Sequence, residues 1–268
     1  MYKVAKGDFP IRATMRDSNE TITLSSLHDA FNHLYLATWR RTQNQVWSGY
    51  TAKLDSSGSL VLEVPGGDGS QTLRIYGFQT KGDPEVAFFD PYSSLNVVSR
   101  TVVDVGCGTL ESSIRFLLQG ANRVIAIDSD QDAMQFARLT QSSDLKLGAI
   151  HLIDSALVVS APCSEVTGKA RSSDAGITLR RIAKDFDLHH AVLKLDCEGC
   201  EYGVFEFDGE VMASAFDQIV VEYHYGGRGI SEQLRKLGFK TRTTASARRM
   251  DGTRKSSSMF SGYLYARK

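Results

Sequence analysis

From residue 97 onward, short apolar runs alternate along the chain with stretches in which apolar residues recur every three or four positions. The runs have the length of buried strands, and the stretches between them have the spacing of amphipathic helices. This pattern predicts strands at 101–105, 123–127, 149–153, 191–195 and 218–223, and helices at 110–119, 131–141, 177–186 and 231–237. Such alternation builds a mostly parallel sheet with helices on both faces. The predicted fold class is therefore α/β, with a ligand site beyond the carboxyl ends of the strands.

The first 82 residues have a different, mixed pattern. Helical spacing predicts a helix at 27–41, and alternation predicts strands at 59–64 and 72–78 around a glycine-rich turn at 65–70. Because the two patterns meet near residue 83, we divide the chain into two parts. Residues 1–82 form an N-terminal α+β appendage without an assigned role, and residues 83–268 form the larger domain.

Composition and charge exclude several classes of protein. The chain has 268 residues, of which 42% are hydrophobic and 23% charged, as in an ordinary globular protein rather than a fibrous or disordered one. Its formal net charge is zero, which argues against a protein that coats nucleic acid through bulk charge. Residues 1–20 are polar, and no apolar run approaches the roughly 18 residues that would span a bilayer. We therefore expect a cytoplasmic protein without a membrane partner.

A glycine-rich loop follows the first strand of the larger domain. Gly106 and Gly108 allow the backbone to turn tightly and to approach a ligand, and Asp104 lies just before them. Asp128 ends the second strand, where its carboxylate can accept hydrogen bonds from both ribose hydroxyls of a nucleoside. Asp154 follows the third strand and is a candidate acceptor for an adenine amino group, with a residue of a surface turn as the alternative. These five residues are the predicted cofactor-binding set.

Two nucleoside cofactors suit this layout, NAD and S-adenosylmethionine. A dinucleotide site usually has a third glycine, but here that position is Glu111, whose carboxylate is expected to face the phosphates of a dinucleotide. S-adenosylmethionine has no phosphate and is cationic, so the acidic loop favours it over NAD. A plain strand-to-helix turn without a ligand is the alternative for the two glycines.

Carboxylates also crowd the ends of the fourth and fifth strands. Asp196, Glu198 and Glu201 follow the strand at 191–195, and like charges placed together need a cation, a shared proton or a substrate. Glu201 could instead only favour the N-terminus of the next helix. Glu222 and His224 alternate along the fifth strand, so their side chains should lie on one side of it.

At these residues the chain resembles the FkbM family of S-adenosylmethionine-dependent methyltransferases. The family's Lys-x-Asp-x-Glu-Gly-x-Glu segment is met by Lys194, Asp196, Glu198, Gly199 and Glu201, and further likeness lies at 103–106, 177–179 and 222–224. The resemblance covers residues 83–268. It implies a Rossmann-like class I methyltransferase fold, a mostly parallel seven-stranded sheet whose antiparallel last strand is 262–267. It also implies methyl transfer, usually to a hydroxyl oxygen.

The chain departs from the family pattern at two places. Its glycine loop continues as Cys107-Gly108-Thr109-Leu110, where Ala-Asn is common, and the acidic segment contains Cys197 and Cys200. These departures bear on the substrate class more than on the cofactor. For the two cysteines, we expect a coincidental pair of small packing residues, with a redox pair or part of a metal site as alternatives.

A methyltransferase must align the acceptor with the methyl group, and a hydroxyl acceptor benefits from a general base or a metal ion. The four candidate catalytic residues are Asp196, Glu198, Glu222 and His224. Our hypothesis is that Glu198 and His224 act on the acceptor, while Asp196 and Glu222 orient them or hold a divalent cation such as Mg²⁺ or Mn²⁺.

The acceptor class depends on a basic C-terminal segment. Residues 225–268 have a net charge of +9, which the first 224 residues balance with −9. Four basic residues are expected at the ligand side and are candidates for substrate binding: Arg248, Arg249, Arg254 and Lys255. They favour an anionic acceptor, unless the segment is only a solvated loop. The functions left open are O-methylation of a small or medium acceptor, methylation of RNA gripped by the appendage, and non-catalytic binding of S-adenosylmethionine.

Overall fold

A computed structural model of the chain describes eleven stretches of sequence: residues 10–14, 21–24, 45–47, 50–66, 69–83, 86, 91–142, 149–158, 176–244, 247–248 and 260–268. The predicted helix at 27–41 lies outside these residues, and so do Arg249, Arg254 and Lys255 of the basic set.

Antiparallel strands make up most of the described N-terminal part. Strand β1 (Ile11–Thr14) pairs with β2 (Thr21–Leu24), and a second sheet has the order β3 (Gln45–Trp47), β4 (Tyr50–Leu54), β5 (Leu60–Gly66) and β6 (Gly69–Ile75). The predicted hairpin is thus confirmed as β5 and β6. Its second strand ends three residues early, since Gly77 has a left-handed φ of 69° and leads into the short helix α1 (Phe78–Lys81).

The rest of the chain alternates strands and helices as predicted. In chain order the elements are β7 (Thr101–Val105), α2 (Glu111–Leu118), β8 (Arg123–Asp128), α3 (Gln131–Ser142), β9 (Ala149–Asp154), β10 (Ala156–Leu157), β11 (Gly176–Ile177), α4 (Leu179–Asp185), β12 (Ala191–Leu195), α5 (Cys200–Phe207), α6 (Gly209–Ala215), β13 (Phe216–Tyr223), α7 (Arg228–Lys236), β14 (Lys240–Thr243), β15 (Ala247–Arg248) and β16 (Phe260–Arg267). Every strand and helix predicted beyond residue 97 is confirmed, with small shifts at the ends.

The main sheet has the strand order β14-β16-β13-β12-β7-β8-β9, and β15 pairs with β16 beside this path. All pairs are parallel except those of β16, which runs antiparallel to β13, β14 and β15. This confirms the predicted Rossmann-like class I methyltransferase fold with an antiparallel last strand. The chain runs outward from β7 to β9 and then returns to β12 on the other side of β7. The carboxyl ends of β7 and β12 are therefore the switch point at which such sheets bind ligands.

Apolar residues cover both faces of this sheet. On β7, Val102 points into a core shared with α2 and α3, whereas Val103 and Val105 point into a core formed with α4 to α7. Leu60 and Ile75 of the N-terminal hairpin pack into the first core, so the hairpin lies on the α2–α3 face. The domain boundary at 82/83 stays a prediction.

Among the described residues, no helix combines the length and the apolar character needed to cross a membrane.

Candidate functional site

The glycine loop after β7 lies directly against the loop after β12. Gly106 has a φ of 74°, and a Cβ atom built on it would be 1.7 Å from the carbonyl oxygen of Asp196. Gly108 also has a left-handed φ, of 53°. A side chain at Gly106 would both strain the backbone and separate the two loops. The glycine therefore allows the predicted cofactor loop and the predicted catalytic loop to meet.

Asp128 is fixed beside this loop by backbone hydrogen bonds. The amide of Gly108 donates to Asp128 Oδ2 at 2.9 Å, and the amide of Asp130 donates to Asp128 Oδ1 at 2.9 Å. Each carboxylate oxygen can accept a second hydrogen bond. The half-buried carboxylate is thus oriented at the switch point with acceptor capacity left for a pair of hydroxyls.

Asp104, also in the predicted cofactor-binding set, lies beneath the loop and has no exposed surface. It accepts hydrogen bonds from the hydroxyls of Ser112 and Ser113 at 2.7 and 2.6 Å, and forms an ion pair with Lys194 at 3.1 Å. In this position it supports the start of α2, and its role in cofactor binding stays a prediction.

Lys194 links the same two loops from below. Its ammonium donates to the carbonyl oxygen of Gly106 and pairs with Asp104, and Asp196 Oδ2 lies 3.8 Å away. Burial alone would lower the pKa of Lys194, but the charges of Asp104 and Asp196 raise it above its usual value. The side chain is therefore a buried cation that holds the glycine loop in place.

The expected orientation of Glu111 is wrong. Only 3% of the residue is exposed, and its carboxylate accepts hydrogen bonds from the Thr109 hydroxyl and the Asp83 amide. Burial raises its pKa to about 7 despite these hydrogen bonds. Because Glu111 turns inward from the first turn of α2, it does not face a ligand and does not discriminate between NAD and S-adenosylmethionine.

Asp154 lies next to Asp128 in the register of β9 and β8. Its side chain is already engaged by α3, since Gln131 Nε2 donates to it at 2.7 Å and the Arg138 guanidinium pairs with it. The Arg138 hydrogen bond holds the pKa of Asp154 below its usual value. The contact of Asp154 with an adenine amino group stays a prediction.

The structure brings the four predicted catalytic residues together at the ends of β12 and β13. His224 Nε2 lies 3.6 Å from Asp196 Oδ1 and 3.5 Å from Glu198 Oε1. Ligand atoms of Asp196, Glu222 and His224 lie within 4.8 Å of one another. The side chain of His224 is 1% exposed, whereas that of Glu198 is 65% exposed. The histidine is thus buried under the loop, and Glu198 lies at its surface.

Glu201 also belongs to this cluster, although sequence reasoning left it between a catalytic segment and a helix start. It lies in the first turn of α5 and is fully buried. One oxygen accepts a hydrogen bond from the Gly199 amide and the other pairs with His224 Nδ1, each at 2.8 Å. The position of Glu201 in the acidic segment was the one sequence signal that could have assigned it to the cluster. Its contact with His224 arises only when β12 and β13 pair.

Burial and charge oppose each other at His224. Burial alone would lower its pKa, but the hydrogen bond to Glu201 and the nearby charges of Glu201, Glu198 and Asp196 raise the pKa overall. Burial raises the pKa of Asp196 even though Lys194 and His224 oppose it. Three carboxylates thus surround one imidazole, an arrangement that a cationic ligand would stabilise.

Tyr92 is a second residue that sequence reasoning missed. It is 1% exposed, and its hydroxyl has no hydrogen-bond partner among the described residues. Burial raises its pKa well above the usual value, and the nearby charges of Asp196 and Glu222 contribute to that rise. It has no motif around it that could have identified it.

The expectation that Cys197 and Cys200 only pack as small residues is wrong, because their sulfurs form a disulfide. The bond closes the loop that carries Glu198 and Gly199. Cys197 Sγ lies 3.3 Å from Glu201 Oε2. The disulfide also uses both thiols, so in this state the pair is not a metal site.

Of the four basic residues proposed for substrate binding, the described part of the chain includes the backbone of Arg248. It pairs with Phe260 where β15 meets β16. The role of the basic set stays a prediction.

Comparisons with known proteins give distant structural likenesses. No protein-family model matches the chain, and no curated protein matches it in sequence. The fold is similar to precorrin-6y C5,15-methyltransferase from Geobacter metallireducens GS-15, at 14% identity over 65% of this chain and 83% of that chain, with a TM-score of 0.38. It is also similar to magnesium protoporphyrin IX methyltransferase from Synechocystis PCC 6803 with bound SAH, at 15% identity over 65% of this chain and 75% of that chain, with a TM-score of 0.39. A third similar structure is ribosomal protein L11 methylase from Lactobacillus delbrueckii subsp. bulgaricus, at 17% identity over 66% of this chain and 72% of that chain, with a TM-score of 0.38. The order and direction of the strands in the main sheet define the fold independently of these likenesses.

Proposed function

We propose that this chain is an S-adenosylmethionine-dependent methyltransferase that methylates a hydroxyl oxygen on a small or medium acceptor, including an anionic one. One observation carries the proposal. A glycine loop with an oriented ribose-type carboxylate, Asp128, directly contacts a buried acid–histidine cluster at the switch point of a class I methyltransferase sheet. The acidic segment at 194–201 supports a relationship to the FkbM family, which the sequence resembles at those positions.

The residues present fit S-adenosylmethionine. A Cβ atom at Gly106 would fill the space between the two loops, and Asp128 retains acceptor capacity for a ribose diol. The excess of carboxylates around His224 suits a cationic ligand. When bound, S-adenosylmethionine supplies an activated methyl group on its sulfonium.

The chain's own residues then have to present and deprotonate the acceptor. Glu198 is exposed at the loop surface, so it is the group proposed to contact the acceptor and to take the hydroxyl proton. His224 Nε2 is buried behind Asp196 and Glu198, which modifies our hypothesis that the histidine acts directly on the acceptor. The histidine lies below these carboxylates, and Glu201 fixes its ring.

Calorimetry of S-adenosylmethionine and S-adenosylhomocysteine tests the cofactor. We expect the wild type to bind both, and Asp128→Asn to weaken binding by about 10- to 100-fold, as expected for lost hydrogen bonds to a charged group. Asp130→Asn is the matched control, because this carboxylate lies two residues away and pairs with Lys81 instead. Absence of binding to the wild type, or equal weakening in both variants, would contradict the assignment.

Transfer of labelled methyl groups from S-adenosylmethionine to a panel of hydroxylated metabolites tests the reaction. With an acceptor found in this way, we expect Glu198→Gln to slow transfer by about 100-fold or more, as for loss of a general base. A rate near that of the wild type would remove Glu198 from the proposed mechanism.

RNA is the second candidate acceptor, because residues 225–268 have a net charge of +9. Binding of a structured RNA would then weaken steeply with added salt, since each phosphate contact releases counterions. Affinity that does not change with salt would favour the small acceptor.

A further inference from the structure

We infer that Asp196, Glu222 and His224 bind a divalent cation, and that Glu201 supports the site as a hydrogen-bond partner of the histidine ligand. The inference deepens the proposed function, on which the ion's role toward the acceptor depends. The binding of the ion itself depends only on the residues of this cluster.

The first argument is an unused buried nitrogen. His224 is 1% exposed, and its Nε2 atom has no hydrogen-bond partner among the described residues. An unpaired buried polar atom costs about 1–3 kcal/mol, so a native protein normally pairs it with another group or with a ligand. Here Nε2 faces two carboxylates at 3.5 and 3.6 Å, beyond a good hydrogen bond but suited to an ion between them.

The second argument is the spacing of the ligand atoms. One atom each from Asp196, Glu222 and His224 can be chosen so that all three lie within 4.8 Å of one another. In an octahedral complex with bonds of about 2.1 Å, neighbouring ligand atoms are roughly 3.0 Å apart and opposite ones roughly 4.2 Å. The distance of 3.6 Å between His224 Nε2 and Asp196 Oδ1 lies between these two values.

The third argument is charge. Asp196 shares the imidazole of His224 with Glu201, and the neighbouring ammonium of Lys194 is paired more closely with Asp104, at 3.1 Å, than with Asp196, at 3.8 Å. A carboxylate that is removed from water is stabilised by a positive charge close to it. A divalent cation would supply that charge where Nε2 and the Asp196 carboxylate approach each other.

Glu201 prepares the histidine for this role. Its oxygen lies 2.8 Å from His224 Nδ1, with both side chains buried. When Nδ1–H donates to this carboxylate, the neutral ring presents the lone pair of Nε2 to the ion, as in carboxylate–histidine–metal arrangements. Glu201 thus orients the ring and increases its basicity without contacting the metal.

The donor set indicates the class of ion. Two carboxylates and one imidazole suit Mn²⁺ or Mg²⁺ rather than a structural zinc ion, which usually takes four closed ligands. The alternative cluster of Cys197, Cys200 and Glu201 has its sulfurs in a disulfide. Three protein ligands leave coordination positions for water and for the acceptor oxygen, whose hydroxyl the ion would acidify.

Titration of the full-length chain with MnCl₂ tests the inference, without cofactor or acceptor. Loss of the free Mn²⁺ signal in electron paramagnetic resonance gives the stoichiometry, for which we expect one ion per chain. Glu201→Gln should weaken binding by about 10- to 100-fold, as for other outer partners of metal ligands, and Asp196→Asn and Glu222→Gln should weaken it further. His190→Ala is the matched control, since His190 forms an exposed pair with Asp217 at 3.0 Å.

Nitrogen hyperfine coupling to bound Mn²⁺ gives a readout that altered folding would not imitate. We expect this coupling in the wild type and in His190→Ala, and its loss in His224→Ala, with circular dichroism confirming that each variant is folded. An absence of stoichiometric Mn²⁺ binding to the wild type, or equal binding by Asp196→Asn, would overturn the inference. If S-adenosylhomocysteine still binds in that case, the cation site fails while the proposed function stands.

Discussion

Replacement of Gly106 by alanine is the most direct test of the contact between the two site loops. The added Cβ would lie 1.7 Å from the Asp196 carbonyl oxygen, which is about half of an ordinary van der Waals contact distance. The residue also has a φ of 74°. Left-handed backbone costs an L-residue about 1–2 kcal/mol, and overpacking of a close contact typically costs about 1–3 kcal/mol. We therefore expect Gly106→Ala to lower the free energy of unfolding by about 2–5 kcal/mol.

Two other glycines separate these contributions. Gly238 has a φ of 90°, but no atom of the described residues lies within 4 Å of its hypothetical Cβ, so Gly238→Ala should lose only the strain of about 1–2 kcal/mol. Gly229 is exposed in α7 without a positive φ, and within the part of the chain that the structure describes no atom lies close to its hypothetical Cβ, so Gly229→Ala should be neutral or gain up to about 1 kcal/mol.

Urea unfolding followed by far-ultraviolet circular dichroism measures all three variants on one scale. The order of stability should be Gly229→Ala, then Gly238→Ala, then Gly106→Ala. If Gly106→Ala loses no more than Gly238→Ala, the glycine loop does not press against Asp196 and the reasoning about the two loops is refuted.

The remaining predictions concern buried charge and the disulfide. Lys194→Met should lower the free energy of unfolding, measured with urea, by about 3–5 kcal/mol, because it leaves Asp104 buried without its cation. The double variant with Asp104→Asn should recover part of this loss. Burial raises the pKa of Glu111 from 4.5 to about 7, so the folded state binds the proton more tightly than the unfolded state and stability falls as pH rises through that window. The free energy of unfolding of the wild type should fall by about 3 kcal/mol between pH 4.5 and 7.5, and Glu111→Gln should not show this fall. Parallel profiles of stability against pH for the two proteins would contradict the prediction. Reduction of the Cys197–Cys200 disulfide, which closes a short loop, should cost at most about 2 kcal/mol, and a melting temperature that collapses on reduction would show a larger role.

Much of the fold follows from local pattern. The strand at 191–195 has the same bounds in prediction and structure, because a short run that is apolar except for Lys194 and is buried on both faces leaves little choice of conformation. The second hairpin strand was predicted to reach residue 78, but it ends at Ile75 because Gly77 takes a left-handed conformation that periodicity does not reveal.

The site was predictable in part. Asp128, Asp196 and Glu222 were identified because each lies at the end of a predicted parallel strand, where ligands bind in such sheets. The inward turn of Glu111 and the burial of Tyr92 near Asp196 and Glu222 were not predictable, because both depend on neighbours that are distant in sequence.

The sequence by itself determined the alternation of strands and helices, the glycine loop and the chemical nature of the candidate residues. Only the tertiary structure decided their partners. Parallel pairing of β12 with β7 places Lys194 opposite Asp104, and pairing of β12 with β13 brings the buried His224 to Glu201. The physical reason is that periodicity is a property of neighbouring residues, whereas a buried charge is stable only with a partner that the strand order brings to it.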